Sequence, residues 1–210
     1  MATSPIVAII AAGAMGGGVG KRMTESGCQV WTILEGRSEA TKKRAEDAGM
    51  KESSVEEIVR SADFVLSILP PSDAHELART FAEEVKRQGG ERKIVYADCN
   101  AVSPETVKTI SELFVGLKNV GFVDGSIIGG PPKGDYNPRL YASVGAGEEE
   151  VLGEFEKLKA WGIDVKPLKG DGVGVGDASA LKMSYAGISK GLTGLFATMI
   201  LGSLTSASRV

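Results

Sequence analysis

The stretch that decides the fold is residues 5–20, which read PIVAIIAAGAMGGGVG. An apolar run, Ile6–Ala12, passes directly into five glycines between residues 13 and 20. Apolar residues then recur every four positions from Met15, which is the spacing of one helix face. A strand, a glycine-rich turn and a helix in this order are the context in which G-x-G-x-x-G binds a dinucleotide. Its glycines let backbone N–H groups approach a pyrophosphate, and the helix N-terminus adds partial positive charge.

The fingerprint departs from the ideal pattern at its first position, where Ala11 replaces glycine. The tight turn accepts an alanine only if its φ stays negative. We predict that the cofactor is held by Gly13, Ala14, Met15 and Gly16. The alternative is a close contact between strand and helix that binds no ligand.

The composition limits the classes of partner. The 210 residues include 24 Lys and Arg against 27 Asp and Glu, so no basic surface is available for nucleic acid or an anionic membrane. Cys28 and Cys99 lack metal-ligand spacing and fall in predicted strands, and we expect buried free thiols and no metal. The N-terminus carries no recognisable secretory or transit signal, so we expect a cytoplasmic protein.

Strand and helix patterns alternate along the chain, which predicts an α/β fold: a Rossmann-type, doubly wound, mostly parallel sheet followed by one long C-terminal helix. We expect a dinucleotide-binding domain at residues 1–171 and the long helix at 172–210. Ligands bind such sheets at the carboxyl ends of the strands. The predicted ends are Gly13, Glu35, Leu69-Pro70, Asp98–Asn100 and Asp124–Gly130.

Local signals place several other elements. Ser38, Ser54 and Ser103 are each predicted to cap the N-terminus of a helix. The run Lys42–Arg44 is expected on a solvated helix face. A strand is predicted at Val120–Asp124, and the Gly- and Pro-rich segment 127–134 is expected to be a loop.

The last helix carries one apolar stripe, formed by Leu181, Tyr185, Ile188, Leu192, Leu195 and Met199. Residues 191–208 contain no charge, which raises a membrane span as an alternative, but the Thr, Ser and Gly content and the lack of basic flanks argue against it. Lys182 falls at the flank of the stripe, where partial burial would lower its pKa and make it a proton donor or acceptor. The alternative for Lys182 is a solvated lysine on an ordinary helix, as we expect for Lys190 on the opposite face.

Other catalytic chemistries lack the residues they need. His75, the one histidine, lies early in a predicted helix, where a surface or capping role is expected. Neither clustered metal ligands nor a Walker lysine occurs, and the G-x-S-x-G match at residues 187–191 lies inside the predicted C-terminal helix, not at the strand-to-helix turn that a nucleophilic serine needs. Acyl transfer, metal-dependent hydrolysis and phosphoryl transfer are therefore excluded as leading hypotheses.

Five segments together resemble the β-hydroxyacid dehydrogenase family, which includes 6-phosphogluconate and 3-hydroxyisobutyrate dehydrogenases. They are Ile10–Gly16, Leu69-Pro70, Asp98–Asn100 with Ser103-Pro104, Asp124–Gly130, and Gly174–Gly176 with Lys182. The resemblance implies that Lys182 is catalytic and that Leu69, Pro70 and Asn100 lie at the nicotinamide. It also implies a substrate site at Ile128, Gly129, Gly130, Asn100 and Tyr185.

The chain departs from the family pattern at several places. Ile128 occupies the serine position of a Ser-Gly-Gly motif, and Tyr185 and Ala186 stand where the family has an asparagine. The resemblance also implies a helical C-terminal domain, of which this chain contains only the beginning. Imine reductases share the architecture but usually lack the lysine.

These observations predict an NADP-dependent oxidoreductase that transfers a hydride between the nicotinamide and a small hydroxyacid or related alcohol or carbonyl compound. NADP is favoured because Arg37 and Ser38 can hold a 2′-phosphate, although Glu35 is placed to bind the ribose of NAD. The alternatives are a non-catalytic dinucleotide-binding module and an imine reductase-like enzyme. The expected partners are a small-molecule substrate and a second copy of the chain, joined through the C-terminal helix, with no nucleic acid and no membrane.

Overall fold

The computed structural model describes the backbone of residues 4–207 and the side chains of residues 4–204. The strands are β1 (Ile6–Ile10), β2 (Gln29–Thr32), β3 (Lys51–Glu52), β4 (Phe64–Ser67), β5 (Ile94–Asp98), β6 (Val120–Ile128), β7 (Arg139–Ser143) and β8 (Asp164–Pro167). The helices are α1 (Ala14–Glu25), α2 (Glu39–Asp47), α3 (Val55–Ser61), α4 (Ala74–Gln88), α5 (Pro104–Glu112), α6 (Glu149–Glu156) and α7 (Asp177–Ala207).

All eight strands form one sheet in the order β3-β2-β1-β4-β5-β6-β7-β8. Every neighbouring pair is parallel except β6 and β7. The chain starts at β1 and winds outward first to one edge and then to the other. The predicted Rossmann-type, mostly parallel sheet followed by one long helix is confirmed.

The sheet buries both of its faces, because helices cover each side. Val7 and Ile9 of β1 belong to the core under α1, α2 and α6, whereas Ala8 and Ile10 belong to the core under α3, α4 and α5. Successive side chains of a strand point to opposite faces, so an unbroken apolar strand is what a sheet covered on both sides requires.

Serine caps fix the starts of three helices, as predicted. The hydroxyl oxygens of Ser38, Ser54 and Ser103 accept hydrogen bonds from the amides of Thr41, Glu57 and Thr106. Each cap satisfies an N–H group that has no partner inside its helix. Pro104 follows the last cap at the first helical position, where its missing N–H costs nothing.

The structure corrects several local predictions. β6 does not end at Asp124 but continues to Ile128, because β7 pairs with it in antiparallel register from Asp124 to Ile128. The expected loop therefore begins only after Ile128. Cys28 and Cys99 are buried and free, but each lies just outside a strand, before β2 and after β5.

The long helix α7 packs against β6, β7 and α5. The predicted stripe is not the face that packs: Leu181, Ile188 and Leu192 are exposed, whereas Ala178 and Ser179 are buried. The spacing revealed an apolar stripe but not which face meets the sheet.

The same helix is, within the described part of the chain, the one segment long and apolar enough to cross a membrane, since it contains an 18-residue stretch with a mean hydropathy of 1.2. None of this apolar stretch is buried against the rest of the protein. One such helix, selected by length and composition alone, is weak evidence for a membrane span.

Candidate functional site

The glycine loop joins β1 to α1 and leaves backbone donors open. Gly13 precedes the first turn of α1 with φ −67° and no side chain caps that turn. The first helical hydrogen bond runs from the Gly17 amide to the Gly13 carbonyl oxygen, 2.8 Å away. The three preceding amides have no partner within α1, which is the arrangement that binds a phosphate group.

Gly13 and Gly16 have different structural roles in this loop. A Cβ at Gly13 would meet nothing within 4 Å, so the position is open toward a ligand. A Cβ at Gly16 would collide with the carbonyl oxygen of Ala11, so the close contact of helix and strand requires glycine there. Ala11 itself does not have a positive φ, as the sequence required.

A cleft of about 350 Å³ lies over this loop. Its lining joins the glycine loop with the loops after β2 and β4: Ala11, Gly13, Ala14, Met15, Gly16, Arg37, Thr41, Ile68, Leu69 and Pro70. Seven predicted cofactor residues therefore share one cleft. The open amides, the space at Gly13 and the cation of Arg37 fit a dinucleotide phosphate.

The loop after β2 turns sharply before α2. Gly36 adopts φ +67°, and the Arg37 amide donates to the Leu34 carbonyl oxygen at 3.0 Å. The turn directs Arg37 into the cleft of the glycine loop, whereas Glu35 lines a separate cleft with Ser54 and Thr80. The Ser38 hydroxyl lies at the N-terminus of α2, where it caps the helix.

Arg44 is exposed, as expected for the run Lys42–Arg44, and its side chain also contacts the glycine loop. Its Nε donates to the Ala12 carbonyl oxygen at 3.1 Å and its Nη2 to the Thr41 hydroxyl at 3.0 Å. Lys42 and Lys43 are exposed and pair with Glu39 and Asp47, as expected. Nothing in the sequence of this run distinguishes the arginine from the two lysines.

Lys182 lies at the carboxyl end of β5. Its Nζ donates to the Cys99 carbonyl oxygen at 3.5 Å, and burial lowers the pKa of the amine against the opposing effect of Cys99, Asp98 and Asp124. Lys190, two turns later, is exposed. The desolvation comes from the end of the sheet and not from the apolar stripe.

Asn100 connects this region to the loop after β4. Its Oδ1 accepts from the Leu69 amide at 2.7 Å, and its Nδ2 donates to the Ser67 hydroxyl at 2.8 Å and to Asp98 Oδ2 at 3.1 Å. The Asn100 amide also donates to Asp98 Oδ1 at 3.0 Å. Burial raises the pKa of Asp98 to about 6. The side-chain amide of Asn100 therefore holds Leu69 in place.

The predicted substrate residues are less closely assembled. Ile128 ends β6, and the Gly130 amide donates to the hydroxyl of Tyr136 at 3.2 Å. Tyr185 is 53% exposed on α7. None of these residues lines the cleft of the glycine loop.

Two further features bear on alternative chemistry. Among residues 4–204 no group of three His, Cys, Asp or Glu side chains is arranged to hold a metal ion. His75 is exposed in the first turn of α4. The fold and the cleft define a Rossmann-type protein with a glycine loop whose amides suit a phosphate group and a partly buried lysine at the carboxyl end of β5.

Comparisons with known proteins agree with this class. A family model described as NADP oxidoreductase, coenzyme F420-dependent, matches residues 6–94. An uncharacterised 28.5 kDa protein of Methanothermus fervidus is 30% identical over 168 residues, which are 80% of this chain and 59% of the relative. The chain thus spans well under two thirds of that relative.

Solved structures give the same picture. A conserved protein of unknown function, described as structurally similar to 3-hydroxyacid dehydrogenases, is 33% identical with a TM-score of 0.73; the match covers 90% of this chain and 66% of that one. The imine reductase of Myxococcus stipitatus in complex with NADP+ is 24% identical with a TM-score of 0.68, covering 93% and 64%. Together these comparisons support a place for the chain in the β-hydroxyacid dehydrogenase-like family.

Proposed function

We propose that the protein is an NADP-dependent oxidoreductase acting on a small hydroxyacid or a related alcohol or carbonyl compound. The observation that carries the proposal is the partly buried amine of Lys182 at the end of β5. Asn100 links that end of the sheet, through the Leu69 amide, to the cleft of the glycine loop. A proton carrier and a dinucleotide cleft at one edge of a parallel sheet suit hydride transfer.

The residues divide the work between binding and proton transfer. The amides of Ala14, Met15 and Gly16 would hold the pyrophosphate, and Arg37 would pair with the 2′-phosphate. The bound nicotinamide supplies the hydride acceptor or donor. Lys182 would take the hydroxyl proton when an alcohol is oxidised and return it when a carbonyl is reduced. Burial lowers the pKa of its amine, which favours that exchange.

The substrate side is the finer part of the proposal. Ile128, Gly129, Gly130, Asn100 and Tyr185 are the proposed substrate contacts, and an apolar Ile128 in place of a hydroxyl argues for a substrate other than a standard hydroxyacid. The imine reductase-like alternative shares this architecture, as the Myxococcus enzyme illustrates at the level of the fold.

A substrate screen tests the proposal. NADPH oxidation is followed at 340 nm with semialdehydes, ketoacids and preformed imines, and NADP reduction with hydroxyacids. Turnover of a carbonyl or hydroxyacid compound supports the proposal, and turnover of imines alone selects the imine reductase alternative. NADPH binding measured by calorimetry without turnover of any compound selects the non-catalytic module.

A further inference from the structure

A buried carboxylate in β6 holds the N-terminus of α7. Asp124 has no exposed surface and accepts four hydrogen bonds. Its Oδ2 accepts from the Gly176 amide at 2.9 Å, the Ser179 amide at 3.1 Å and the Ser143 hydroxyl at 3.2 Å, and its Oδ1 accepts from the Ser179 hydroxyl at 2.7 Å.

Ser143 of β7 extends the same network. Its hydroxyl donates to Asp124 and accepts from the Ala178 amide at 3.2 Å. Three backbone amides at the start of α7 therefore donate hydrogen bonds to two side chains of the sheet. A negative charge at this position also complements the positive end of the helix.

We infer that Asp124, assisted by Ser143, is the positioning residue that fixes the register of α7 and thereby places the amine of Lys182 at the end of β5. Lys182 follows Ser179 by three residues, less than one helical turn, so a shift of the first turn carries the amine with it. This inference rests on the proposed function of Lys182, but its structural part is measurable without a substrate.

A neighbouring carboxylate shows that the arrangement is specific to α7. Asp98 lies opposite Asp124 in the register of β5 and β6 and is equally buried. Its hydrogen bonds run to Asn100 and so to the loop after β4, not to α7. Asp98 is therefore a matched control that differs from Asp124 in the element it anchors.

The charges around Lys182 make the test decisive. The groups that act on its pKa are Cys99 and Asp98 from the β5 end and Asp124 from β6, while Lys108 of α5 lies against Gly176. Loss of a negative charge alone lowers the pKa of Lys182 further. Displacement of α7 into water raises it toward the usual lysine value of about 10.4.

The experiment follows the signal of Lys182 by NMR in protein carrying ¹³C-labelled lysine, with Lys182→Arg identifying the signal. Asp124→Ala should raise the pKa of Lys182 and speed amide hydrogen exchange at residues 176–183. Asp124→Asn should lower the pKa of Lys182, because it removes a negative charge. It should leave α7 in place, because the asparagine oxygen can accept the bonds now made to Oδ2. Asp98→Asn should also lower the pKa and leave exchange in α7 unchanged.

Ser143→Ala is the second variant, in case Asp124→Ala does not fold. It keeps both carboxylates and should move the pKa of Lys182 and the exchange rates in the direction of Asp124→Ala. An unchanged or lowered pKa in Asp124→Ala, or in Ser143→Ala if the former is unfolded, would overturn the inference.

Activity gives an independent readout. On a compound that the wild-type protein reduces, Asp124→Ala should lower kcat by about tenfold or more and leave the Kd for NADPH unchanged, with Asp124→Asn recovering most of the loss. Should the wild-type protein turn over no compound while the pKa of Lys182 still responds as described, the proposed function fails and the positioning of α7 by Asp124 stands.

Discussion

Arg37 and Glu35 are separated by one residue, yet their side chains line different clefts. Arg37 lies with the glycine loop and Leu69, whereas Glu35 lies with Ser54 and Thr80. Gly36, at φ +67°, forms the turn between them. A carboxylate beside a phosphate would be repulsive, and this separation removes it from the cleft that Arg37 enters.

Cofactor preference follows from this separation. Arg37→Ala should weaken NADPH binding by about tenfold or more, since a charge-assisted hydrogen bond contributes about 1.5–3 kcal/mol. NADH binding should change little, because it carries no 2′-phosphate. Isothermal titration calorimetry measures both, with Glu35→Gln as the control from the same loop. Tighter binding of NADH than NADPH, with NADPH affinity unaffected by Arg37→Ala, would contradict the assignment.

Lys182 gives the second prediction. Lys182→Ala should lower turnover by about a hundredfold or more and leave cofactor binding nearly unchanged, because the amine moves a proton and does not hold the dinucleotide. Lys190→Ala is the matched control on the same helix, exposed two turns away. Steady-state rates at 340 nm make the comparison, and equal, mild losses in both variants would remove Lys182 from the mechanism.

The sequence was sufficient for features that local chemistry determines. The strand, glycine loop and helix at residues 6–25 and the caps at Ser38, Ser54 and Ser103 follow from neighbouring residues alone, and the structure confirms these elements. The alternation of strands and helices was enough to predict the parallel sheet.

The anchoring by Asp124 was missed because it joins distant parts of the chain. Its bonds to Gly176 and Ser179 span 52 and 55 residues. One signal was present: an aspartate inside an apolar strand must find donors if it is buried. The face of α7 that packs on the sheet could not be predicted from the sequence either. Periodicity defines an apolar stripe but does not indicate which surface covers it.

Asp98 predicts a pH-dependent contribution to stability. Burial raises its pKa from 3.8 to about 6, so the folded state binds the proton more tightly than the unfolded chain. The contribution is complete below pH 3.8 and is lost as the pH rises through about 6, with a total of about 3 kcal/mol at 1.36 kcal/mol per pH unit.

Urea unfolding of the wild type and Asp98→Asn between pH 4 and 7.5 measures this contribution. The free energy of unfolding of the wild type should fall relative to the variant as the pH rises. Asp98→Ala, which also lacks the carboxyl, should give the same pH profile with a different constant offset. If the difference in the free energy of unfolding between the wild type and Asp98→Asn does not change with pH, Asp98 does not titrate in this range.

Substitution of alanine for Gly13 or Gly16 should affect different properties of the protein. Gly16→Ala should destabilise the fold by about 1–3 kcal/mol, because its Cβ meets the carbonyl oxygen of Ala11, which cannot move freely. Gly13→Ala should leave the stability nearly unchanged, since its Cβ has open space and φ is −67°. It should instead weaken NADPH binding by obstructing the pyrophosphate. Thermal unfolding and calorimetry separate the two, and equal losses of stability would contradict the assignment.

The exposed apolar residues of α7 lead to the last prediction, a homodimer through this helix. Ile188, Leu192, Leu195 and Met199 are 73%, 49%, 57% and 59% exposed along one stripe. Full burial of such a side chain contributes about 1.5–3 kcal/mol, and a contiguous stripe of them favours association in water. Gly187, Gly191 and Gly194 have open space around them, which lets a second helix approach closely.

Light scattering at micromolar concentration should give twice the chain mass, and Leu192→Glu with Leu195→Glu should return it to the mass of one chain. Lys190→Glu, exposed on another face of the same helix, is the charge control and should remain dimeric. A wild-type protein that stays monomeric across this range would exclude the dimer.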